Sequence, residues 1–578
     1  MMNYPLHSLF ATSAIVCAMT ATCVMATELN ASDYGVVPGG KDNGAAMLKL
    51  IDAARAQGVK RISFAPGEYH FHAKSAKPMQ IFISNHDQQD VHPVAVPLVD
   101  LKNLELRGKK TKFIFHGKML PFVLMDCEGI TIRNISIDAA EPFSAEGRIV
   151  EIKDGKTTLK INSTSRYAVE NGQFLLTNNG RRDKIQCILA FESDGRMVPT
   201  GKSGDMGWYA WAEQLSGDRV RFAEDASLKG LSVGHTLVLR SYFRPHPGML
   251  LYRAKDTTLK NVVFHDSQGM ALIAQRSENI TILGGGCIRA KGRKHTTAAD
   301  ATHFSNCRGH IRVQGATYEG MMDDAINVHA TCLGIQEVES SRTFVARYMH
   351  DQAYGFEVME PGEHLQFIHG PTLEPNPQLR TVEKVEVIDP RLVRVTLTED
   401  IPAGIGAGDA IENADWHPSV TFQDNTVRHN RARGALFTTP RPVRVINNHF
   451  DHTHGSAILL AGDAQGWYES GACQDIIIKG NTFRHGLTGL YQFTDALIAI
   501  CPEVRQIQHQ KEAYHRNVRI VNNTFITHQV PLLSATSATN VTFQNNKVKY
   551  HNTYPKVGNG EPYLIKGGCS EMNLQKIK

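Results

Sequence analysis

The sequence predicts an all-β chain: a right-handed parallel β-helix with two inserted, small antiparallel β modules of barrel-like form. Three observations lead there. An eight-residue phrase recurs along the chain, several of its copies start 23 residues apart, and two stretches that lack it resemble each other instead.

The first residues, MMNYPLHSLFATSAIVCAMTATCVMATELN, carry an apolar run from Leu9 to Ala26 that ends in Val24-Met25-Ala26. That is a small-residue cleavage pattern, so residues 1–26 read as a secretory signal. Polar residues within the run argue against an uncleaved spanning anchor, and no later stretch is long and apolar enough to span a bilayer. The expectation is a soluble mature protein, exported to the periplasm, the cell surface or the medium.

The phrase itself appears as VTFQDNTV (420–427), VRVINNHF (443–450), IIIKGNTF (476–483), VRIVNNTF (518–525) and VTFQNNKV (541–548). Earlier copies are ITIRNISI (130–137), TTLKNVVF (257–264), ITILGGGC (280–287) and IRVQGATY (311–318). Apolar residues alternate on both sides of an Asn/Gly bend, so each phrase reads as two short strands with a turn between them. A unit this short cannot bury its own apolar side and must stack on its neighbours. Coils of about 23 residues suit a parallel β-helix. The Leu spacing of a leucine-rich repeat is absent, and the period is too short for four propeller strands. Asn425, Asn448, Asn481, Asn523 and Asn546 should therefore occupy equivalent turns.

In order, residues 27–140 read as the N-terminal part of the β-helix, and 141–249 as the first inserted module. Residues 250–330 return to the helix, 331–414 form the second module, and 415–578 complete the helix. The two modules are matched by DRVRFAEDASLKGLSVGHTLVL (218–239) and RLVRVTLTEDIPAGIGAGDAIEN (391–413). Each has an alternating strand, an acidic turn and a Gly-polar step into another strand.

Composition narrows the function. With 62 Lys and Arg against 57 Asp and Glu and no basic run, nothing points to nucleic acid or an anionic membrane. Eight of the ten cysteines follow residue 26 and none forms a CxxC pair, so a zinc or redox site is not indicated. Disulfides and stacked core cysteines both remain open. Trp208, Trp211, Trp416 and Trp467 are too scattered to build an exposed stacking surface.

The chemistry lies in ADATHFSNCRG (299–309) and GMMDDAINVHA (320–330), which flank one copy of the phrase. Asp300 precedes Asp323 by 23 residues and Asp324 by 24, the period of the coils. Stacked strands are about 4.8 Å apart, so three carboxylates should meet on one face. Asp323 and Asp324 can both turn to it only if the backbone bends, and Gly320 permits a bend. Such a cluster can hold Ca²⁺, as in polysaccharide lyases, can be purely structural, or can serve as acid and base on a glycosidic bond. His303, Asn327 and His329 have the donors to hold sugar hydroxyls, each of them equally suited to a structural role. Met321 and Met322 read as core filler. Glu360, in the second module, is a further carboxylate that could reach the site.

The opening of the mature chain, ASDYGVVPGGKDNGAAMLKLIDAARAQGVKRISFAPGEYHFH (31–72), resembles that of β-helical pectinases and their relatives. The three-aspartate pattern is similar to that of polygalacturonases, but no GHG follows Asp324 and there is no RIK. DATHF-x-x-CRG, GMMDDAINVH and the two inserts resemble much more fully glycoside hydrolase family 110, the exo-acting α-1,3-galactosidases of gut and marine bacteria. The resemblance covers nearly the whole mature chain. It implies inverting hydrolysis of terminal α-1,3-linked galactose on oligosaccharides or glycoconjugates, of blood group B type or linear Gal-α-1,3-Gal, without cofactor or metal. Asp300, Asp323 and Asp324 are then the catalytic candidates, and His303, Asn327, His329 and Glu360 the substrate-binding ones. Asp323 and Asp324 are expected to share base and positioning work, with Asp300 or Glu360 as acid. A polygalacturonase-like or lyase enzyme and a non-catalytic glycan-binding β-helix are the alternatives. The sequence leaves the oligomeric state open.

Overall fold

The structure is a computed structural model describing residues 27–89, 91–199, 211–223, 230–489 and 495–577. The expected signal segment and Trp208 lie outside the described residues.

Each copy of the phrase gives two strands on neighbouring sheets. In one coil, Ser419–Gln423 and Thr426–Arg428 flank the bend; in the next, Val443–Ile446 and His449–Asp451 do. These pairs stack in parallel, with Val420 beside Val443 and Thr426 beside His449. A third parallel sheet, which the phrase does not announce, includes Met249–Tyr252, Leu272–Gln275, Thr302–Ser305, Ile326–Thr331, Ala435–Phe437 and Ile458–Leu460. Every coil thus contributes to a triangular cross-section around one continuous apolar core. Phe450, Phe483, Phe525 and Phe543 lie on successive coils, with neighbouring rings 4.8–5.5 Å apart.

The five asparagines occupy equivalent turns. Asn425 Nδ2 donates to Asn448 Oδ1 at 3.0 Å, and the same contact links Asn448 to Asn481, Asn481 to Asn523 and Asn523 to Asn546 at 2.9–3.0 Å. Each Oδ1 also accepts the backbone N–H of the preceding asparagine. Gln575 caps the column by accepting from Asn546 N. The residue before each asparagine, Asp424, Asn447, Gly480, Asn522 or Asn545, has positive φ, which Asn, Asp and Gly tolerate best.

One helix, Gly44–Gln57, was not expected from the all-β reading. Met47, Leu50, Ile51 and Ala54 dock on the core next to the first coils, where an uncovered edge would otherwise face water.

The inserted strands run from Ala145–Lys153 to Thr236–Arg240 and from Leu333–Val338 to Ala410–Asn413. The second module is a closed antiparallel barrel, because His364–His369 pairs both Arg380–Asp389 and Ala410–Asn413. The first is less regular. Among the described residues it is an open six-stranded sheet plus a three-stranded one, Phe174 and Leu176 of the smaller sheet sharing a core with the larger. None of the eight cysteines after residue 26 forms a disulfide, and six of them are buried, so they pack rather than cross-link. No helix among the described residues is long and apolar enough to cross a membrane.

Candidate active site

The register of the third sheet assembles the site. Thr302 pairs with Ile326 and Ile326 with Ala435, and two residues earlier the same column holds Asp300, Asp324 and Arg433. Ala301 N donates to Asp324 O at 2.8 Å, which carries the alignment past the strand ends. The three aspartates each bring an oxygen within 4.8 Å of the others, and all three are buried.

Asp323 reaches this column because the chain bends before it. Gly320 has φ +69°, and a Cβ there would lie 2.5 Å from Arg289 Nε and 2.7 Å from Lys294 O, so no other residue fits. The two methionines then point opposite ways. Met321 enters the helix core, while Met322 packs with Leu189, Phe191, Met197 and Val238 of the first module. Arg240 and Arg431 both donate to the Met322 carbonyl, at 3.4 and 3.1 Å, which holds the bend.

The three carboxylates differ in their partners. Asp324 accepts from Arg433 N, Nε and Nη2 at 2.9, 3.0 and 2.7 Å, so both its oxygens are engaged. Burial pushes its carboxyl up, against the pull of Arg433. Asp323 Oδ2 accepts from Arg244 Nη2 at 3.1 Å, while its Oδ1 has no hydrogen-bond partner and lies 3.5 Å from Arg431 Nη1. Burial opposes ionisation of Asp323, but the Arg431, Arg244 and Arg433 guanidiniums hold its carboxyl below the usual range. Asp300 makes no ion pair with arginine; burial and the Asp323 charge push its carboxyl up to about 8. The cluster therefore sets two carboxyls that burial pushes up, Asp300 and Asp324, beside one that arginines hold down, Asp323.

His303 and His329 extend the cluster. Asp300 Oδ2 and His303 Nδ1 are 2.7 Å apart, as are His303 Nε2 and His329 Nε2. Glu469 lies beyond, 3.4 Å from His329, and accepts from Asn85 and Asn327 at 3.0 and 3.2 Å. The two imidazole nitrogens face each other at hydrogen-bond distance and leave no room for an ion between them. Elsewhere, His429, Asp451 and His452 bring one ligand atom each within 4.8 Å, outside the pocket.

The aspartates open into a cavity of about 460 Å³, within the size range of small-molecule sites. Its walls come from distant stretches: Asn85, then Tyr242 and Arg244 after the first module, then Leu436 and Leu459 of the helix, and finally Trp467, Glu469 and Glu503. Glu469–Ser470 pairs antiparallel with Ala330–Thr331, which sets Glu469 beside His329. Asp463 Oδ1 accepts the backbone N–H groups of Gln465, Gly466 and Tyr468, shaping the loop that presents Trp467.

Sequence reasoning located Asp300, Asp323, Asp324, His303 and Asn327 on the cavity wall, with His329 behind them. Glu360 is a correction: it is exposed, pairs with Arg276 at 3.4 Å and does not line the cavity. The second module supplies no lining residue; it supports the wall indirectly, through His350 stacked on Trp467 at 3.9 Å. The arginines and Glu469 were missed. ARG at 432–434 falls one coil after the DD pair once the second module is skipped, and that was the available signal for Arg433.

Comparison with known proteins agrees with this architecture. Residues 145–237 match GLAA-B beta-barrel domain I, 343–411 match GLAA-B beta-barrel domain II, and 403–561 match a right handed beta helix region. Alpha-1,3-galactosidase B of Parabacteroides distasonis is 37% identical over 93% of this chain and 90% of its own length. The chain belongs to glycoside hydrolase family 110. A second family member, alpha-1,3-galactosidase B of Phocaeicola vulgatus, is 39% identical over 90% of each chain. A third, from Akkermansia muciniphila, is 48% identical over 91% of this chain, which spans 66% of that longer relative.

Proposed function

We propose that this family 110 chain is an exported exo-α-1,3-galactosidase that removes terminal galactose from oligosaccharides or glycoconjugates. The observation that carries the reading is the meeting of three buried aspartates in one walled cavity, where burial and the Asp323 charge push the Asp300 carboxyl up while arginines hold Asp323 down. Asp300 protonates the leaving glycosidic oxygen, and Asp323 takes the proton of the attacking water. Asp324 anchors Arg433 and stays out of proton transfer. A cavity walled by Tyr242, Arg244, Trp467 and Glu503 suits a chain end better than the interior of a polymer.

Family resemblance implies inversion. The aspartate oxygens lie closer than the roughly 6.5–9.5 Å usual between the carboxyls of inverting enzymes, so the product anomer is an informative readout. The test is incubation with Gal-α-1,3-Gal, following free galactose and its anomer by proton NMR. Release of β-galactose is expected. Release of the α-anomer would recast Asp323 as a nucleophile, an unsaturated ultraviolet-absorbing product would mean a lyase, and binding without release a lectin-like role.

A further inference from the structure

A chain of buried ion pairs runs from the β-helix into the first module and ends at the loop that leads to Asp300. Arg293 Nη2 lies 2.6 Å from Asp138, and its Nη1 lies 3.6 Å from Asp266. His295 Nε2 lies 3.4 Å from Asp266 on one side, and its Nδ1 donates to Glu146 Oε1 at 2.6 Å on the other. Glu146 belongs to the module strand Ala145–Lys153, and its Oε1 also accepts from Lys294 N and His295 N at 2.7 and 3.1 Å. A neutral imidazole has one N–H to give, so two flanking carboxylates favour the imidazolium. Burial opposes that charge, but Asp266 and Glu146 push the imidazole up to about 9. The loop that His295 anchors touches both branches of the aspartate cluster. Thr296 N donates to Gly320 O and Thr296 Oγ1 to Glu319 O, both at 2.9 Å, and Met322 N donates to Thr297 O at 3.1 Å. These contacts brace the bend that presents Asp323. Asp300 follows Thr297 on the same loop, and Arg240 ties the two branches together by donating to Ala298 O and Met322 O.

We propose that His295 and Glu146 are positioning residues, an ion pair through which the first module sets Asp323 against Asp300. This deepens the proposed function and rests on it, but it holds whichever aspartate gives the proton. Reacting groups must be held to within about 0.5 Å, and a misplacement of about 1 Å can cost about 10²-fold in rate. The pair sits where such a misplacement would begin. The other charges around it are Asp138, Asp266, Arg181, Arg289, Arg293 and Lys294, so removing one member leaves its partner buried among uneven charge. The first module is then a working part of the site: Met322 packs its side chain into the module core, and Glu146 holds the loop behind the Met322 backbone.

Two variants test the pair. Glu146→Asp keeps the charge but withdraws the carboxylate by one methylene, and His295→Gln keeps a donor but loses the charge. Each should lower kcat on 4-nitrophenyl α-galactoside at least about tenfold while KM changes less than about threefold, in protein that urea titration shows to be folded. A merely structural role would lower the urea midpoint and leave kcat of the folded enzyme intact, and that outcome overturns the proposal. Glu146→Asp is the milder change and carries the test alone if His295→Gln does not fold. Its crystal structure reads the same point without turnover. A shift of the Asp323 carboxyl by at least about 0.5 Å relative to Asp300 is expected, and an unmoved pair of aspartates overturns the proposal. If the wild type cleaves no α-galactoside, the proposed activity fails, and the displacement still decides on the positioning role.

Discussion

Two columns of side chains run along different stretches of the same β-helix and use the repeat in opposite ways. In the asparagine column, positions 425, 448, 481, 523 and 546 hold one residue type, and each contact copies the one below it. In the aspartate column, Asp300, Asp324 and Arg433 occupy successive rungs and none repeats its neighbour. Repetition makes the first column a ruler that sets the stacking distance. The second spends the same spacing on bringing unlike groups together. A β-helix can thus place an acid, a base and their counter-charges within one hydrogen-bond network without any of them being close in sequence.

The comparison breaks most visibly if the aspartate column is edited. Asp323→Asn and Asp300→Asn should each keep the fold and lower kcat by about 10²–10⁴-fold, measured by galactose release alongside circular dichroism. Near-normal turnover in either would acquit that residue. Next in size is pH. With Asp300 as the acid and its carboxyl near 8, kcat/KM should fall about tenfold per unit above that value. The same shift has a stability sign. The folded chain binds the Asp300 proton more tightly than the unfolded chain does, so this contribution is full below the ordinary carboxyl range. It declines as pH rises toward about 8, and urea midpoints across that window would show it, read as a difference from Asp300→Asn.

Arg433→Leu mixes the two columns, because it removes a partner and leaves Asp324 buried. A stability loss of about 3–5 kcal/mol is expected by chemical denaturation, with activity lost as well. Asn481→Ala should cost about 1–3 kcal/mol by leaving buried donors and acceptors unpaired, with kcat essentially unchanged. A large drop in kcat there would mean that the ruler and the site are not separable. The smallest effect belongs to Glu360→Gln, an exposed partner of Arg276 worth about 0–1 kcal/mol and placed outside the cavity.

The same contrast explains what could be read from the sequence. The asparagine column was legible because repetition is visible in a string of letters, and the period then carried Asp300 to the DD pair. Glu469 was hidden because its place beside His329 depends on an antiparallel pairing of a loop with Ala330–Thr331, which no period encodes. Arg240 and Arg244 were hidden for a related reason: they sit where the first module returns to the helix, and the site borrows that return. Glu360 misled because its module begins just after the DD pair, which suggested that the module reaches the site, whereas the barrel closes on itself and turns Glu360 to solvent.

Asp324 and Arg433 are neighbours on adjacent rungs, yet the whole second barrel is threaded between them. The order of synthesis then matters. As the chain emerges from its N-terminus, Asp300, Asp323 and Asp324 exist for some time as an acidic cluster without Arg431 or Arg433. Arg433 lies 109 residues after Asp324, with the second barrel in the loop that closes between them. Until it closes, Arg244 is, among the described residues, the one guanidinium paired with the cluster, on Asp323, and Asp324 lacks its counter-charge, so these coils stack less favourably. Long-range closure of this loop is entropically costly, and refolding kinetics should show a slow phase that Arg433→Leu alters.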